Sequence, residues 1–223
     1  MRRDDPSGYG KWAEERKRIK IAERAERRRI LAEAEEQAAR WGGAFNFHTF
    51  VKFNEFLISD DGANLESVVV RELIKLGKTV TTAESCTGGL VASRLTDVSG
   101  SSSVFTHGFV SYSNKAKAQL IGVSKSTLAA HGAVSEEVAS EMAMGARLTS
   151  GSDYSISITG IAGPTGGTKD KPVGTVCFGI AGPEGIKTFR EMHPRSRRDF
   201  KQQVSQRALD LVRRALKTDR QLD

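Results

Sequence analysis

Thr82-Ala83-Glu84-Ser85-Cys86-Thr87-Gly88-Gly89 stands where a β-branched run gives way to a helix-forming one. Upstream, Lys78 to Ala83 (Lys-Thr-Val-Thr-Thr-Ala) reads as a strand. Downstream, Gly88 to Val98 reads as a helix. A strand feeding a helix through a short polar turn is the unit of an α/β sheet, whose ligands gather outside the carboxyl ends of its strands. The helix start offers unpaired N–H groups and a partial positive charge, and Gly88 and Gly89 allow close backbone approach. Three readings of the stretch stay open on these residues alone. It is a capped helix with a glycine turn, an anion cradle, or a nucleophilic Ser85 whose oxyanion forms beside those N–H groups.

The same geometry recurs along the chain. Thr106 to Ser111 reads as a strand, Ser113 or Asn114 as a cap, and Lys115 to Ile121 as a short helix. Tyr112 and Lys117 are thereby placed to meet at a strand's carboxyl end, against the alternative of a half-buried Tyr and a surface Lys. Tyr154 to Thr159 is a third strand, followed by Thr159-Gly160-Ile161-Ala162-Gly163-Pro164-Thr165-Gly166-Gly167-Thr168. Alone, that loop is a flexible surface segment or a backbone-lined wall for a nucleotide. Three such loops can converge on one sheet edge, which favours a ligand site.

The remaining elements frame these loops. Leu65, Val68, Val69, Leu73 and Ile74 recur at helical spacing before a capping Gly77. Ser135 followed by Glu136 and Glu137 opens a helix to Leu148, with acidic first-turn residues that suit the dipole. Val173 to Ile180 and Ile186 to Glu191 read as a hairpin around Ala181-Gly182-Pro183-Glu184-Gly185. In Arg197 to Leu216, Phe200, Val204, Ala208, Leu211, Val212 and Ala215 repeat at the helical period. Alternating helices and strands make the class α/β, and the hairpin makes the sheet mixed.

Composition removes several functions. The chain has 223 residues, 34 Lys+Arg against 27 Asp+Glu, and a net charge of +7. A basic balance invites anionic partners. With only Cys86 and Cys177 present, neither a disulfide framework nor a four-thiolate zinc site is available. The four His show no metal spacing, and no apolar run reaches the roughly 18 residues of a membrane span. Met1 to Gly10 lacks the apolar core of a signal peptide, so a cytoplasmic protein with no membrane partner is expected. Cys86 reads as a small packing residue rather than an activated thiol. Arg195, Arg197 and Arg198 are either a solvated charge run or a phosphate seat.

Residues 1–62 differ in texture. Residues 1–40 hold 12 Lys/Arg and 9 Asp/Glu, and Trp12 to Trp41 contains no Gly or Pro. The interspersed signs favour a solvated helical extension over a nucleic-acid arm, and no aromatics interleave the charges for base stacking. Phe45, Phe47, Phe50, Phe53 and Phe56 follow, a cluster that must find a surface to cover it. Residues 1–62 thus form an extension, and 63–220 the main domain.

Thr-Ala-Glu-Ser-Cys-Thr-Gly-Gly, Tyr-Ser-Asn-Lys-Ala-Lys, Gly-Ala-Val-Ser, Thr-Gly-Ile-Ala-Gly-Pro-x-Gly-Gly and Lys-Pro-Val-Gly-Thr-Val occur in that order. Together they resemble the CinA C-terminal family of nicotinamide-nucleotide amidohydrolases, from about Leu65 to Leu216. The resemblance implies a three-layer α/β/α sandwich, a homodimer, and metal-free, cofactor-free hydrolysis of the carboxamide of nicotinamide mononucleotide to the acid and ammonia. It implies Ser85 as nucleophile with Tyr112 and Lys117 as catalytic partners. Thr87, Gly88, Gly89, Thr159, Gly160, Ile161, Ala162, Gly163, Gly166 and Arg197 are the expected substrate-binding set. Residues 1–62 match nothing in the family and are too few to hold the molybdopterin-binding-like domain of its larger members.

The expected chemistry has one energetic demand. Lys117 takes the Ser85 proton, directly or through Tyr112, while N–H groups around Thr87 and Gly88 hold the oxyanion. An unperturbed Lys has a pKa of ~10.4, so neutrality at pH 7 costs about 4–5 kcal/mol. Burial, or a neighbouring positive charge at Lys115 or the helix start, must lower it. The rival readings are a non-catalytic nucleotide-binding module linked to competence or DNA damage, which releases no ammonia, and a DNA-binding protein working through the basic arm, which shows steep salt dependence.

Overall fold

A computed structural model describes residues 63–219. The expected helix over Trp12 to Trp41 and the Phe45–Phe56 cluster lie outside the described residues.

The elements run α1 (Leu65–Leu76), β1 (Val80–Glu84), α2 (Leu90–Thr96), a short 3-10 turn (Ser101–Ser103) and β2 (Phe105–Val110). They continue through α3 (Asn114–Ile121), α4 (Lys125–His131), α5 (Glu136–Ser150), β3 (Tyr154–Gly160), β4 (Thr175–Gly182), β5 (Gly185–Met192) and α6 (Arg197–Asp219). The sheet order is β2-β1-β3-β4-β5. β1 runs parallel to both β2 and β3, while β4 and β5 are antiparallel additions. The class is therefore α/β with a five-stranded mixed sheet flanked by helices.

The order of connections creates the site. From β1 the chain moves outward through α2 to β2, then returns past β1 through α3, α4 and α5 to β3. α5 packs across β1, β3, β4 and β5, whereas α6 packs with α1 and α2 and touches β3 and β4. The carboxyl ends of β1, β2 and β3 thus open together where the strand order reverses, the position at which open α/β sheets bind ligands.

Local chemistry explains the tight layers. β1 and β4 are buried throughout, and β3 until its last residue, Gly160. Ser155 and Ser157 donate their hydroxyls to the carbonyls of Ala143 and Ala139, at 2.6 and 2.5 Å, so small polar residues sit under α5 without unpaired groups. Gly145 brings α5 against α3, since a Cβ there would stand 1.7 Å from the Ile121 carbonyl oxygen. On the other face, Arg94 binds Glu66 at 2.7 Å, Ser205 at 2.9 Å and Gln206 at 2.5 Å, which ties α1, α2 and α6 together.

Several sequence expectations shift. The α1 stripe is Leu65, Val69, Val70 and Leu73, while Ile74 is 48% exposed. α2 covers less than the expected Gly88 to Val98, and α6 extends past Leu216. Ser113 rather than Asn114 caps α3, accepting from the Ala116 N–H at 3.0 Å. Ser135 caps α5, accepting from Val138 at 3.2 Å. No helix among the described residues is long and apolar enough to cross a membrane.

Candidate active site

Ser85 follows the last residue of β1 and is held by its backbone: its N–H donates to the Ile158 carbonyl at 2.9 Å, and its carbonyl accepts from Gly88 at 3.1 Å. Lys117 lies in the second half of the first α3 turn, one turn beyond the Ser113 cap. Its side chain reaches inward and is 1% exposed. Its Nζ donates to Ser85 Oγ at 3.0 Å and to the Ser111 carbonyl at 2.8 Å. Two loops from neighbouring parallel strands have therefore brought an amine onto a hydroxyl.

Burial lowers the Lys117 pKa from the ordinary 10.5 to about 8. Desolvation is the cause, since taking an ammonium out of water disfavours the charged form. The opposing influence is the nearby Cys86, which raises it. Lys115, expected as a positive neighbour, is exposed and contributes no part of the shift. Cys86 is buried beside Ser85, and burial pushes its thiol up to about 12. The backbone N–H groups of Cys86 and Thr87 favour negative charge at that sulfur and oppose this rise.

The N-terminus of α2 is already occupied. The Glu84 carboxylate, wholly buried, accepts from Gly89 at 3.0 Å, Val91 at 3.1 Å and Ala92 at 2.8 Å. An internal anion thus satisfies the donors expected to cradle a ligand, and the Gly88 N–H is spent on Ser85. The backbone N–H groups of Cys86 and Thr87 are the remaining donors of this turn.

A cleft of about 490 Å³, including its open mouth, covers the Ser85–Lys117 pair. It is lined by Ser85, Cys86, Tyr112, Lys117, Ala133, Val134, Thr159, Gly160, Ala162 and Arg197. Of the expected set, Thr87, Gly88, Gly89, Ile161, Gly163 and Gly166 lie off that lining. Gly160 belongs there because it has no side chain: a Cβ would meet the Thr175 oxygen at 2.9 Å and the Cys86 sulfur at 3.1 Å. Thr159 turns its hydroxyl to the Ala133 carbonyl at 2.7 Å, which joins the third loop to the Ala133–Val134 wall. That wall was not among the expected site residues, although it lies in the Gly-Ala-Val-Ser motif. Tyr112 is 59% exposed at the mouth, and its hydroxyl accepts from Arg197 NH2 at 2.8 Å. Arg197 NH1 donates to the Gly163 carbonyl at 3.0 Å.

A buried, readily deprotonated amine on a serine hydroxyl at a strand end is the arrangement of an acyl-transfer site. Residues 62–216 match the CinA C-terminal domain family, and the chain belongs to it. A CinA-like protein of Desulfosudis oleivorans is 46% identical over 170 residues, covering 76% of this chain and 40% of that protein. A CinA-like protein of Chlorobaculum tepidum is 57% identical over 136 residues, 60% of this chain and 32% of that one. The chain thus spans less than half the length of these curated relatives. Among solved structures, the competence/damage inducible protein CihA from Agrobacterium tumefaciens is 38% identical with a TM-score of 0.65, covering 69% of this chain and 95% of that one. A CinA superfamily protein from Klebsiella pneumoniae is 36% identical with a TM-score of 0.67, covering 69% and 96%.

Proposed function

We propose that the domain hydrolyses the carboxamide of nicotinamide mononucleotide to nicotinic acid mononucleotide and ammonia. The observation that carries the chemistry is the 3.0 Å contact between Lys117 Nζ and Ser85 Oγ inside a buried pocket. The family resemblance supplies the substrate.

Neutral Lys117 removes the Ser85 proton as Oγ attacks the amide carbon. The carbonyl oxygen gains the negative charge and is stabilised by the N–H of Cys86, which lines the cleft beside Ser85. The ammonium of Lys117 returns its proton to the amide nitrogen, the carbon–nitrogen bond breaks, and ammonia leaves an ester on Ser85. Water then attacks that ester, giving its proton to Lys117; the ester bond breaks, and the proton returns to Ser85. Each pass ends with Lys117 neutral and Ser85 free. Because the amine touches the hydroxyl directly, the step needs no relay through Tyr112.

The test is ammonia release from nicotinamide mononucleotide by the full chain, Ser85→Ala and Lys117→Ala. Turnover by the parent and loss of at least about a hundredfold in each variant is expected, as for removal of a nucleophile or general base. Nucleotide binding without ammonia release by the parent chain would instead favour the non-catalytic module. A homodimer belongs to the same reading and is checked by sedimentation.

A further inference from the structure

Lys117 Nζ has more donors than acceptors. An ammonium carries three N–H bonds. Among the described residues Nζ meets two acceptors, Ser85 Oγ and the Ser111 carbonyl. A neutral amine leaves the same surplus: its lone pair turns to the Ser85 hydroxyl, one N–H stays on the carbonyl, and the other N–H is left over. With the side chain 1% exposed, bulk water does not reach that donor.

An unspent acceptor hangs from the residue that supplies the carbonyl. Ser111 Oγ is buried and makes no hydrogen bond. A buried hydroxyl left unpaired is costly, and such a group calls for a function. The Ser111 backbone is fixed on both sides: its N–H donates to the Glu84 carbonyl at 2.8 Å, and its carbonyl accepts from Lys117. Only the side chain can turn, and it does so about one bond, Cα–Cβ, between staggered wells. A spare donor and a spare acceptor thus sit on two residues already joined by a hydrogen bond.

We infer that Ser111 Oγ accepts the third N–H of the Lys117 ammonium while the amine holds the proton taken from Ser85. Ser111 does not line the cleft, so it is a positioning residue acting through Lys117. The inference deepens the amidase reading and rests on it for its place in the cycle. As Ser85 Oγ bonds to the amide carbon, its proton passes to Nζ. One N–H of the ammonium stays on the Ser111 carbonyl, a second faces the amide nitrogen that will receive the proton, and the third turns to Ser111 Oγ. When the proton leaves with ammonia, the amine is neutral again. Hydrogen bonds from a charged donor are roughly twice as strong as neutral ones, so the hydroxyl favours the ammonium and opposes the burial that disfavours it. The other charged and titratable groups around the amine are spent elsewhere. Glu84 caps α2, Glu141 on α5 binds Ser124 and Thr127, and Arg197 binds Tyr112 and Gly163. Cys86 is a thiol, and Lys115 is exposed.

Two measurements on the full-length protein test this. The first needs no substrate: the Lys117 amine is titrated by NMR in protein labelled with carbon-13 at lysine Cε, its signal being the one missing from Lys117→Met. Ser111→Ala should lower the midpoint by about half a pH unit or more, a threefold or larger change in the acid constant. Ser111→Thr keeps the hydroxyl and should keep the parent midpoint. An unmoved midpoint in Ser111→Ala, or equal shifts in both variants, would overturn the inference. The second is ammonia release from nicotinamide mononucleotide. Ser111→Ala should lose about three- to tenfold in kcat at pH 9 with KM unchanged, and the rising limb of its kcat/KM profile should move to lower pH by the NMR shift. A loss confined to KM would make Ser111 a substrate contact and overturn the assignment. A shifted titration in a protein that releases no ammonia leaves the Ser111 contact standing and sinks the amidase reading. Ammonia release with an unmoved titration does the reverse.

Discussion

Lys117 Nζ touches two acceptors of unequal kind, the Ser85 hydroxyl at 3.0 Å and the Ser111 carbonyl at 2.8 Å. The carbonyl can only accept, so it fixes one N–H of the amine. The hydroxyl can donate, and a neutral amine so anchored can turn its lone pair to it. With a pKa of about 8, roughly one-tenth of the amine is neutral at pH 7 and half at pH 8. The rate should therefore climb almost tenfold per pH unit below about pH 7, about fivefold from 7 to 8, and level off above that. A profile of kcat/KM from pH 6 to 10 checks this, and a flat line between pH 6.5 and 8.5 would count against Lys117 as the base.

The same burial carries a stability penalty. The folded-state pKa lies below the unfolded one, so between about 8 and 10.5 the unfolded chain binds more protons. Stability then rises with pH across that window, and below it the full penalty, about 3 kcal/mol, is present. Lys117→Met keeps the length and removes the charge, at the expense of an unpaired Ser111 carbonyl. It should stabilise the domain at pH 7 by about 1–3 kcal/mol while abolishing turnover. The gain should shrink toward pH 10. Denaturant melts at both pH values decide; a less stable variant at pH 7 would show that the amine is not desolvated in the native state.

What the sequence made legible was whatever its local spacing controls. The loops after Glu84, Val110 and Gly160 were readable because β-branched runs end there in Ser, Gly and Asn, and parallel strands must place such ends together. Lys117 was readable because it sits one turn into a capped helix. Glu84 was not. Its carboxylate caps α2 across a folded turn, reaching Gly89, Val91 and Ala92 from a strand, and no helix-capping spacing announces that. The partner of Tyr112 was equally hidden, since Arg197 lies 85 positions away along the chain. The α4 helix escaped notice because seven residues with one buried side chain, Leu128, leave no periodic stripe.

Glu84 holds the geometry of the nucleophile turn from beneath. Three N–H donors converge on its two oxygens in a site closed to water. In Glu84→Gln one of those oxygens becomes an NH2 group that faces N–H donors. The variant should lose about 1–3 kcal/mol of stability. Thermal melts report this; an unchanged midpoint would mean that the cap contributes nothing.

Cys86 neighbours the nucleophile yet is held as a thiol. With its pKa pushed to about 12 and only 5% exposure, almost no thiolate exists at pH 8. Native protein treated with iodoacetamide at pH 8 should remain unmodified at Cys86, and protein in denaturant should react fully. Mass spectrometry of the peptide containing residue 86 reads the difference. Rapid native labelling would make the thiol a competing nucleophile.

Gly160 closes the cleft from the third loop, and its missing side chain is what leaves room for the Ser85 turn. A Cβ there would face the Thr175 carbonyl at 2.9 Å on one side and Cys86 Sγ and Val176 Cβ, each at 3.1 Å, on the other. The carbonyl cannot retreat easily, because it accepts the Ile161 N–H at 2.8 Å just past the last β3–β4 pair, Gly160 with Val176. The yielding partner is Cys86, and movement of Cys86 carries Ser85 with it. Gly160→Ala should therefore cost about 1–3 kcal/mol of stability and reduce kcat more than it raises KM. If kcat is untouched while stability falls, the added methyl has been absorbed by β4 and the Cys86 contact does not govern the nucleophile's position.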